Sequence, residues 1–155
     1  MVTMIRRCLV VAAMMFWQGG FTFYASVVVP IGSKVLGSHA AQGMVTRHVV
    51  VYLHIAGAAA LALLVWDLVS ANDIARWRRL ARWGLWASIG FALIAQFWLH
   101  WYMDALLATG TSPDPERFYS LHRWYLMISS GQWAASLILV TLNLLTWRGE
   151  DRRGQ

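Results

Sequence analysis

The sequence predicts an all-α integral membrane protein that folds as a bundle of four transmembrane helices. Four apolar stretches, at about 8–31, 49–69, 80–107 and 118–147, occupy most of the 155 residues. Each reaches the roughly 20 residues that a helix needs to cross a hydrocarbon core about 30 Å thick. The composition agrees, because 59% of the residues are hydrophobic and 13% are charged, whereas a soluble domain has about 25% charged residues. The stretches are continuously apolar rather than alternating, which excludes the strands of a membrane β-barrel.

Basic residues are distributed unevenly among the ends of the predicted helices. Nine of the thirteen lysines and arginines precede the first helix, fill the second connection or follow the last helix: Arg6, Arg7, Arg76, Arg78, Arg79, Arg82, Arg148, Arg152 and Arg153. The positive-inside rule then predicts that both termini and the second connection lie in the cytoplasm. We expect the membrane to be a bacterial inner membrane. Tryptophans near these ends, such as Trp147, are expected at the lipid interface. Orientation thus explains the net charge of +6, and no nucleic-acid partner is predicted.

The first helix, at about 8–31, begins after two arginines and is predicted to end at Pro30, which has no backbone N–H to donate. Its apolar run is too long for a cleavable signal peptide, so the helix is expected to remain in the protein. Gln18, Thr22 and Ser26 recur every four residues and therefore share one face. This face should point into the bundle, because a polar row facing lipid is costly.

No stretch resembles an interdomain linker, so residues 1–155 are predicted to form one domain.

A connection that contains three glycines, residues 32–46, leads to the second helix at about 49–69. His54 lies in the outer half of this helix, and Gly57 is surrounded by alanines at positions 56, 58, 59 and 60. Such a small-residue surface lets another helix approach closely. Asp67, near the inner end, is expected to form an ion pair rather than to relay protons. Its candidate partners are Arg78, Arg82 and Arg148.

The basic link of residues 70–79 leads to the third helix at about 80–107. Four arginines around this link are predicted to face anionic lipid: Arg76, Arg78, Arg79 and Arg82. Near an anionic membrane surface, each contributes about 1 kcal/mol. A general topology signal is the alternative explanation of the same charges. Farther along the helix, Gln96, His100 and Asp104 follow at four-residue intervals, which again places polar side chains on one face.

The third connection, residues 108–116, has the composition of a turn, and the fourth helix is expected to start near Pro115. This helix, at about 118–147, carries the longest polar stripe, with spacings of three, four, three, four and seven residues: His122, Tyr125, Ser129, Gln132, Ser136 and Asn143. The members share one face, which should point into the bundle. Interhelical hydrogen bonds, worth about 0.6 kcal/mol each on average, are the simplest role for them.

All five histidines fall in the outer half of the predicted bundle or in its outer connections: His39, His48, His54, His100 and His122. Three of them, His54, His100 and His122, lie at depths that allow them to converge in one cofactor-binding site. Asp104 is one turn from His100 and is placed to fix the tautomer of that imidazole. A structural role for the same histidines stays open beside this hypothesis.

Three kinds of ligand fit such a cluster. Haem b needs two neutral imidazoles from facing helices at similar depth. A copper or zinc ion needs three or four ligands, for which His48 and Asp104 would join the same histidines, although no His-x-x-x-His spacing is present. A quinone needs only one histidine and a hydrogen-bonding tyrosine or glutamine.

No catalytic motif accompanies these residues. The sequence contains no Gly-x-Ser-x-Gly elbow, no phosphate-binding loop and no His-Glu-x-x-His, so enzyme activity is not predicted. The favoured function is that of a small accessory or scaffold subunit, which contacts the lipid bilayer and packs within a larger membrane complex or a homo-oligomer. The alternative is a membrane redox subunit that binds haem b, a metal ion or a quinone through His54, His100 and His122.

Two short segments resemble known families. The Trp17-Gln18-Gly19-Gly20 run, with Pro30 ten residues later, resembles the opening helix of the transmembrane protein 205-like domain family of unknown function. It is also similar to the corresponding helix of the copper-resistance D membrane family. The Phe118-Tyr119-Ser120-Leu121-His122 entry to the fourth helix is similar to the former family. The resemblance implies a small four-helix membrane domain, with links to metal tolerance in some relatives.

Overall fold

A computed structural model of the protein describes residues 1–108 and 115–153. This described part is all-helical, without strands, and contains four long helices. We name them α1 (Val2–Val35), α2 (His39–Ser70), α3 (Arg76–Ala108) and α4 (Pro115–Asp151). Each helix is long and apolar enough to cross a membrane. The all-α fold class and the presence of four long apolar helices are therefore confirmed.

Every helix extends beyond the apolar stretch that predicted it. α2 begins at His39, so that Arg47 and His48 are helical instead of forming part of a connection. The apolar criterion finds only the part of a helix that fits the hydrocarbon core, whereas helical hydrogen bonding continues into polar turns. The first connection is thereby reduced to residues 36–38, where Gly37 has a φ of +72°, a left-handed conformation that glycine adopts without steric cost. The predicted turn at residues 109–114 lies outside the described residues.

The prediction that Pro30 ends the first helix is wrong. α1 contains two π-helical turns, Met15–Gly19 and Tyr24–Val28, and returns to α-helix over Val29–Val35. Pro30 stands at the beginning of this last α-helical segment, where a helix tolerates a residue that has no N–H donor. The wide turn immediately before the proline thus allows the chain to stay helical as far as Val35.

Spatial contacts divide the chain into two compact units, residues 1–63 and 64–155. The boundary falls within α2, so the last two turns of this helix belong to the second unit. The first unit contains α1 and most of α2, and the second contains α3 and α4. The organisation of residues 1–155 as one domain stays a prediction.

The first unit is stabilised by close packing between α1 and α2. The Trp17 side chain is 4% exposed and covers Gly57, where an added Cβ would lie 2.7 Å from Trp17 Cε2. The small-residue surface predicted on the second helix therefore receives an indole ring. Nearer the connection, the amide of Gln42 packs against Gly32, and its Nε2 donates a hydrogen bond of 3.3 Å to Tyr24 Oη. Small residues on one helix thus make room for large side chains of the other.

In the second unit, α3 packs against α4 through both apolar and polar side chains. Ile89 on α3 and Leu139 on α4 are completely buried, at 0% exposure. Four members of the predicted polar stripe of α4 are also buried: Ser129, Gln132, Ser136 and Asn143. The stripe prediction is confirmed for these four residues. His122 is exposed, because it lies roughly 60° around the helix from the centre of the stripe when each residue advances by about 100°.

Candidate functional site

The most extensive buried polar arrangement that the structure describes lies where α2, α3 and α4 have their arginine-rich ends. It consists of Asp67, Arg82, Asn143 and Trp147, which we call the Asp67 network. Asp67, in the last turns of α2, is 0% exposed, and Arg82, in the second turn of α3, is 1% exposed. Arg82 Nη2 lies 2.8 Å from Asp67 Oδ2. Two opposite charges are therefore paired inside the protein, out of contact with solvent.

α4 completes the Asp67 network with two side chains that are one helical turn apart. Arg82 Nε donates a hydrogen bond of 2.7 Å to Asn143 Oδ1, and Trp147 Nε1 donates one of 3.1 Å to Asp67 Oδ1. A buried ion pair contributes to stability only when further hydrogen bonds offset the desolvation of its charges. Asn143 and Trp147 supply such bonds, so the network connects three helices at one place.

Asp73, in the link between α2 and α3, forms a second ion pair. Its carboxylate accepts hydrogen bonds from Arg78 Nε (2.7 Å), Arg78 Nη2 (2.6 Å), the Ala75 N–H (3.0 Å) and Thr146 Oγ1 (3.0 Å). Burial alone would raise the pKa of Asp73, but these hydrogen bonds and the Arg78 charge outweigh burial and lower the pKa below its usual value of 3.8. Asp73 is therefore an anion at neutral pH, and it fixes the link against α4.

The backbone of the same link is also bonded to the end of α4. The Asn72 N–H donates a hydrogen bond of 2.7 Å to Glu150 Oε1, and Arg153 Nη2 donates one of 2.7 Å to the Asn72 carbonyl oxygen. Backbone groups in a connection need such partners because they lack the regular hydrogen bonds of a helix. The link between α2 and α3 is therefore bonded to α4 through its side chains and through its backbone.

The structure separates the four arginines that were predicted to face lipid. Arg82 belongs to the Asp67 network and Arg78 forms the second ion pair, so a lipid-facing role is not supported for these two. Arg76 and Arg79 are exposed. Helical geometry explains part of this division, since at about 100° per residue Arg78 lies roughly 130° from the middle of the Arg76–Arg79 pair and Arg82 roughly 90° from it. Arg82 is only about 60° from Arg79 in projection, so its burial also depends on its ion pair with Asp67.

A neutral polar contact lies farther along the same two helices. Gln96 Nε2 on α3 donates a hydrogen bond of 2.8 Å to Gln132 Oε1 on α4, and Gln132 Nε2 donates one of 3.0 Å to the Ile89 carbonyl oxygen. The Ser136 hydroxyl donates to the Gln132 carbonyl oxygen of its own helix at 2.8 Å. Such amide contacts hold helices together in apolar surroundings without a net charge. Gln132 therefore makes the interhelical hydrogen bonds that were the simplest explanation of the stripe, whereas the Ser136 bond stays within α4.

The predicted histidine site is divided between the two units. His54, in the first unit, is 7% exposed, and His48 is exposed with its Nδ1 2.9 Å from the Met44 carbonyl oxygen of its own helix. In the second unit, the His100 side chain is 12% exposed and its Nε2 lies 3.7 Å from Asp104 Oδ2. Asp104 thus lies beside His100 as the sequence predicted, at a distance longer than a direct hydrogen bond.

His122, the third predicted ligand, stacks on Phe118 of its own helix with ring centroids 6.3 Å apart. Among the residues that the structure describes, no group of three or more His, Cys, Asp or Glu side chains is arranged to hold a metal ion. The convergence of His54 with His100 and His122, and the binding of haem b or a quinone by them, stay predictions.

Sequence reasoning missed a cluster near the other ends of α3 and α4. Arg117, at the start of α4, donates a hydrogen bond to Tyr102 Oη, and its guanidinium carbon lies 5.4 Å from the centre of the Tyr102 ring. Trp98 also belongs to this cluster, because it stacks on Tyr102 with ring centroids 5.8 Å apart. The sequence could have predicted the contact between Trp98 and Tyr102, which are one helical turn apart. It could not have predicted the contact with Arg117, because this residue belongs to another helix.

Sequence reasoning also placed Trp147 at a lipid interface, whereas the structure buries it in the Asp67 network at 7% exposure. The signal that could have corrected this is again spacing, because Trp147 continues the polar stripe of α4 one turn beyond Asn143. For Asp67, the sequence left three candidate partners, and the structure pairs it with Arg82.

No family model, no curated protein and no solved structure matches this chain. The resemblance of Trp17-Gln18-Gly19-Gly20 and of the segment from Phe118 to His122 to two membrane families therefore stays a prediction.

Proposed function

We propose that this protein is a multi-pass protein of a bacterial plasma membrane, with both termini and the link between α2 and α3 in the cytoplasm. We further propose that it acts as a non-catalytic accessory or scaffold subunit, within a larger membrane complex or a homo-oligomer. The observation that carries this proposal is the Asp67 network, in which an ion pair between the ends of α2 and α3 is bonded to two side chains at the end of α4. Such a network fixes the relative positions of helices, which is what a scaffold requires.

The polar residues deeper in the second unit support the same function. Gln96 and Gln132 bond to each other, and Ser129 and Ser136 donate to carbonyl oxygens of their own helix. A transport path or a catalytic site in a membrane needs ionisable groups that face a cavity or a substrate. Gln96 and Gln132 serve instead to hold α3 and α4 together, and the two serine hydroxyls are bonded within α4.

The outward surface of α3 supports contact with lipid or with other helices. Four large aromatic side chains on this helix are between 58% and 74% exposed: Phe91, Phe97, Trp98 and Trp101. Apolar side chains of this size are stable when lipid or a neighbouring helix covers them, and a contiguous exposed set would otherwise favour aggregation. An accessory subunit in a bilayer has both kinds of neighbour.

The orientation is tested by labelling single cysteines in the Cys8→Ser background. Lys34→Cys reports the α1–α2 end and Ile74→Cys reports the α2–α3 link, and both positions are exposed. We expect a membrane-impermeant maleimide to label Lys34→Cys in intact cells and Ile74→Cys only after the membrane is opened. The reverse pattern would invert the orientation, and labelling of both sites in intact cells would contradict a four-span topology.

The scaffold function is tested on protein extracted in mild detergent from the membrane in which it is made. We expect particles larger than one chain, containing either further copies or one partner at a fixed stoichiometry, and crosslinking in intact membranes should give the same species. A single chain by both measurements would contradict the proposal. The histidine alternative is tested on the same preparation, because bound haem b gives a Soret band that His54→Ala should abolish, whereas a scaffold is colourless.

A further inference from the structure

The first two turns of α3 have two chemically different sides. Arg78 and Arg82 lie on the side that packs inside the protein, at 20% and 1% side-chain exposure. Arg76 and Arg79 lie on the other side and are exposed. In helical projection, Arg76 and Arg79 are separated by roughly 60°, whereas Arg78 and Arg82 lie roughly 130° and 90° from the middle of that pair. Four arginines in seven residues therefore form two sets with different surroundings.

The charges of Arg78 and Arg82, the inward set, are compensated by carboxylates of the protein. In the described part of the chain, those of Arg76 and Arg79, the outward set, are not. Asp73 neutralises Arg78 and Asp67 neutralises Arg82. Over residues 1–108 and 115–153, no carboxylate is paired with Arg76 or Arg79. The outward side thus presents two guanidinium groups that are available to an external anion.

Apolar side chains continue the outward side toward the centre of the helix. Leu80 is 61% exposed and Trp83 is 36% exposed, and both lie within roughly 60° of Arg76 in helical projection. Trp77, on the flank, is 65% exposed. A basic turn followed by an apolar turn that carries tryptophan matches the profile of a membrane interface, where headgroups give way to acyl chains over a few ångströms.

We propose that this outward side, formed by Arg76, Arg79, Leu80 and Trp83, binds the phosphate of an anionic phospholipid. The two guanidinium groups lie close enough along the helix to contact one headgroup, and arginine matches the geometry of phosphate oxygens through paired N–H donors. Leu80 and Trp83 contact the upper part of the acyl chains. The assignment does not follow from the number of basic residues alone. Arg78 and Arg82 lie in the same turns, but carboxylates of the protein neutralise them, so only Arg76 and Arg79 are assigned to the lipid.

The inference rests on the proposed insertion of α3 in a membrane, but its test is independent of orientation and of the scaffold function. Purified protein in a mild non-ionic detergent is titrated with phosphatidylglycerol or phosphatidylcholine, and bound lipids are counted by native mass spectrometry. We expect a preference for phosphatidylglycerol. Removing one arginine should weaken binding about fivefold, so that Arg76→Gln with Arg79→Gln should weaken it roughly thirtyfold.

The matched control is Lys34→Gln with Arg123→Gln, which removes the same number of charges from exposed positions elsewhere. We expect this control to keep the preference for phosphatidylglycerol. Equal weakening in both double variants would overturn the proposal, because a general effect of net charge would then explain binding. Unchanged binding in the Arg76 and Arg79 variant would also overturn it. Thermal unfolding without added lipid verifies that both variants are folded.

A soluble competitor distinguishes a lipid from a free phosphate compound. Glycerol phosphate offers the same anionic group without acyl chains, so we expect it to displace phosphatidylglycerol only weakly. Displacement at concentrations similar to that of the lipid would overturn the assignment to a phospholipid. If cysteine labelling confirms insertion and the titration shows no preference for phosphatidylglycerol, this inference fails while the proposed function stands.

Discussion

The Asp67 network predicts that the contributions of Asp67 and Arg82 to the unfolding free energy depend on each other. Asp67→Asn keeps the shape of the side chain and an oxygen for the Trp147 N–H, but it removes the charge opposite Arg82. The Arg82 guanidinium, which is 1% exposed, would then stay buried with a neutral partner. Removing one member of a buried ion pair typically costs about 3–5 kcal/mol, and we expect a loss of unfolding free energy in this range.

Replacing both charges should cost less than replacing one. Arg82→Met alone leaves the Asp67 carboxylate buried with hydrogen bonds but without its cation, and we expect a loss of about 3–5 kcal/mol again. Asp67→Asn with Arg82→Met leaves no uncompensated charge, so its cost should not exceed that of either single charge removal. The deviation from additivity should therefore be at least about 3 kcal/mol, which is at the upper end of couplings between contacting residues.

The assay is reversible unfolding in mixed micelles with an increasing fraction of sodium dodecyl sulfate, followed by helical circular dichroism. Arg79→Met is the matched control, because this arginine is exposed on the same helix and its replacement should change the unfolding free energy by no more than about 0.5 kcal/mol. Single variants that resemble this control would refute the reasoning. So would a double variant whose cost equals the sum of its single changes.

Three further predictions concern packing, amide bonding and acidity. Gly57→Ala should lower the unfolding free energy by about 1–3 kcal/mol, because its new Cβ would lie 2.7 Å from Trp17 Cε2. Gly19→Ala is the control in the same micelle assay, because a Cβ at this position meets no atom within 4 Å. Equal losses of unfolding free energy in the two variants would contradict the packing. Gln132→Leu removes two interhelical hydrogen bonds and should cost about 1–2 kcal/mol by the same assay; no loss would contradict their role. Because the pKa of Asp73 is lowered in the folded protein, its stabilising contribution is present above the unfolded-state pKa and is lost as the pH falls through the folded-state pKa. Thermal midpoints measured down to pH 2 should therefore fall less steeply in Asp73→Asn than in the unmodified protein. Identical pH profiles of the two proteins would refute this.

The number and type of the helices could be predicted because their cause is local. Four runs of apolar helix formers exceed the length that a bilayer requires, and no partner elsewhere in the chain is needed to recognise them. Helix ends depend on finer causes. Pro30 was expected to terminate α1, yet the π-helical turn Tyr24–Val28 precedes it and moves the proline to the start of a new α-helical segment. Apolar length carries no information about such a turn.

The polar side chains show a similar division between local and distant causes. Spacing alone identified the face of α4 that is buried, because that face is determined by the helical period. It did not identify which arginine pairs with Asp67, since three candidates were comparable and the choice depends on how α3 and α4 pack. The role of Asp73 was missed for the same reason, because its bond to Thr146 joins residues that are 73 positions apart.

The two ends of the second unit differ in how their charged groups are used, and this difference predicts where a partner would act. At the arginine-rich end, Asp67 and Asp73 are bound by side chains from neighbouring segments, so a partner that used these carboxylates would have to break buried ion pairs. At the other end, the Asp104 side chain is 27% exposed and lies beside His100, and His122 is exposed. A partner helix or a ligand can reach partly exposed groups such as these, whereas the carboxylates of Asp67 and Asp73 are buried. The histidine-bearing end is therefore where a partner should make polar contacts, while the arginine-rich end fixes the helices that present them.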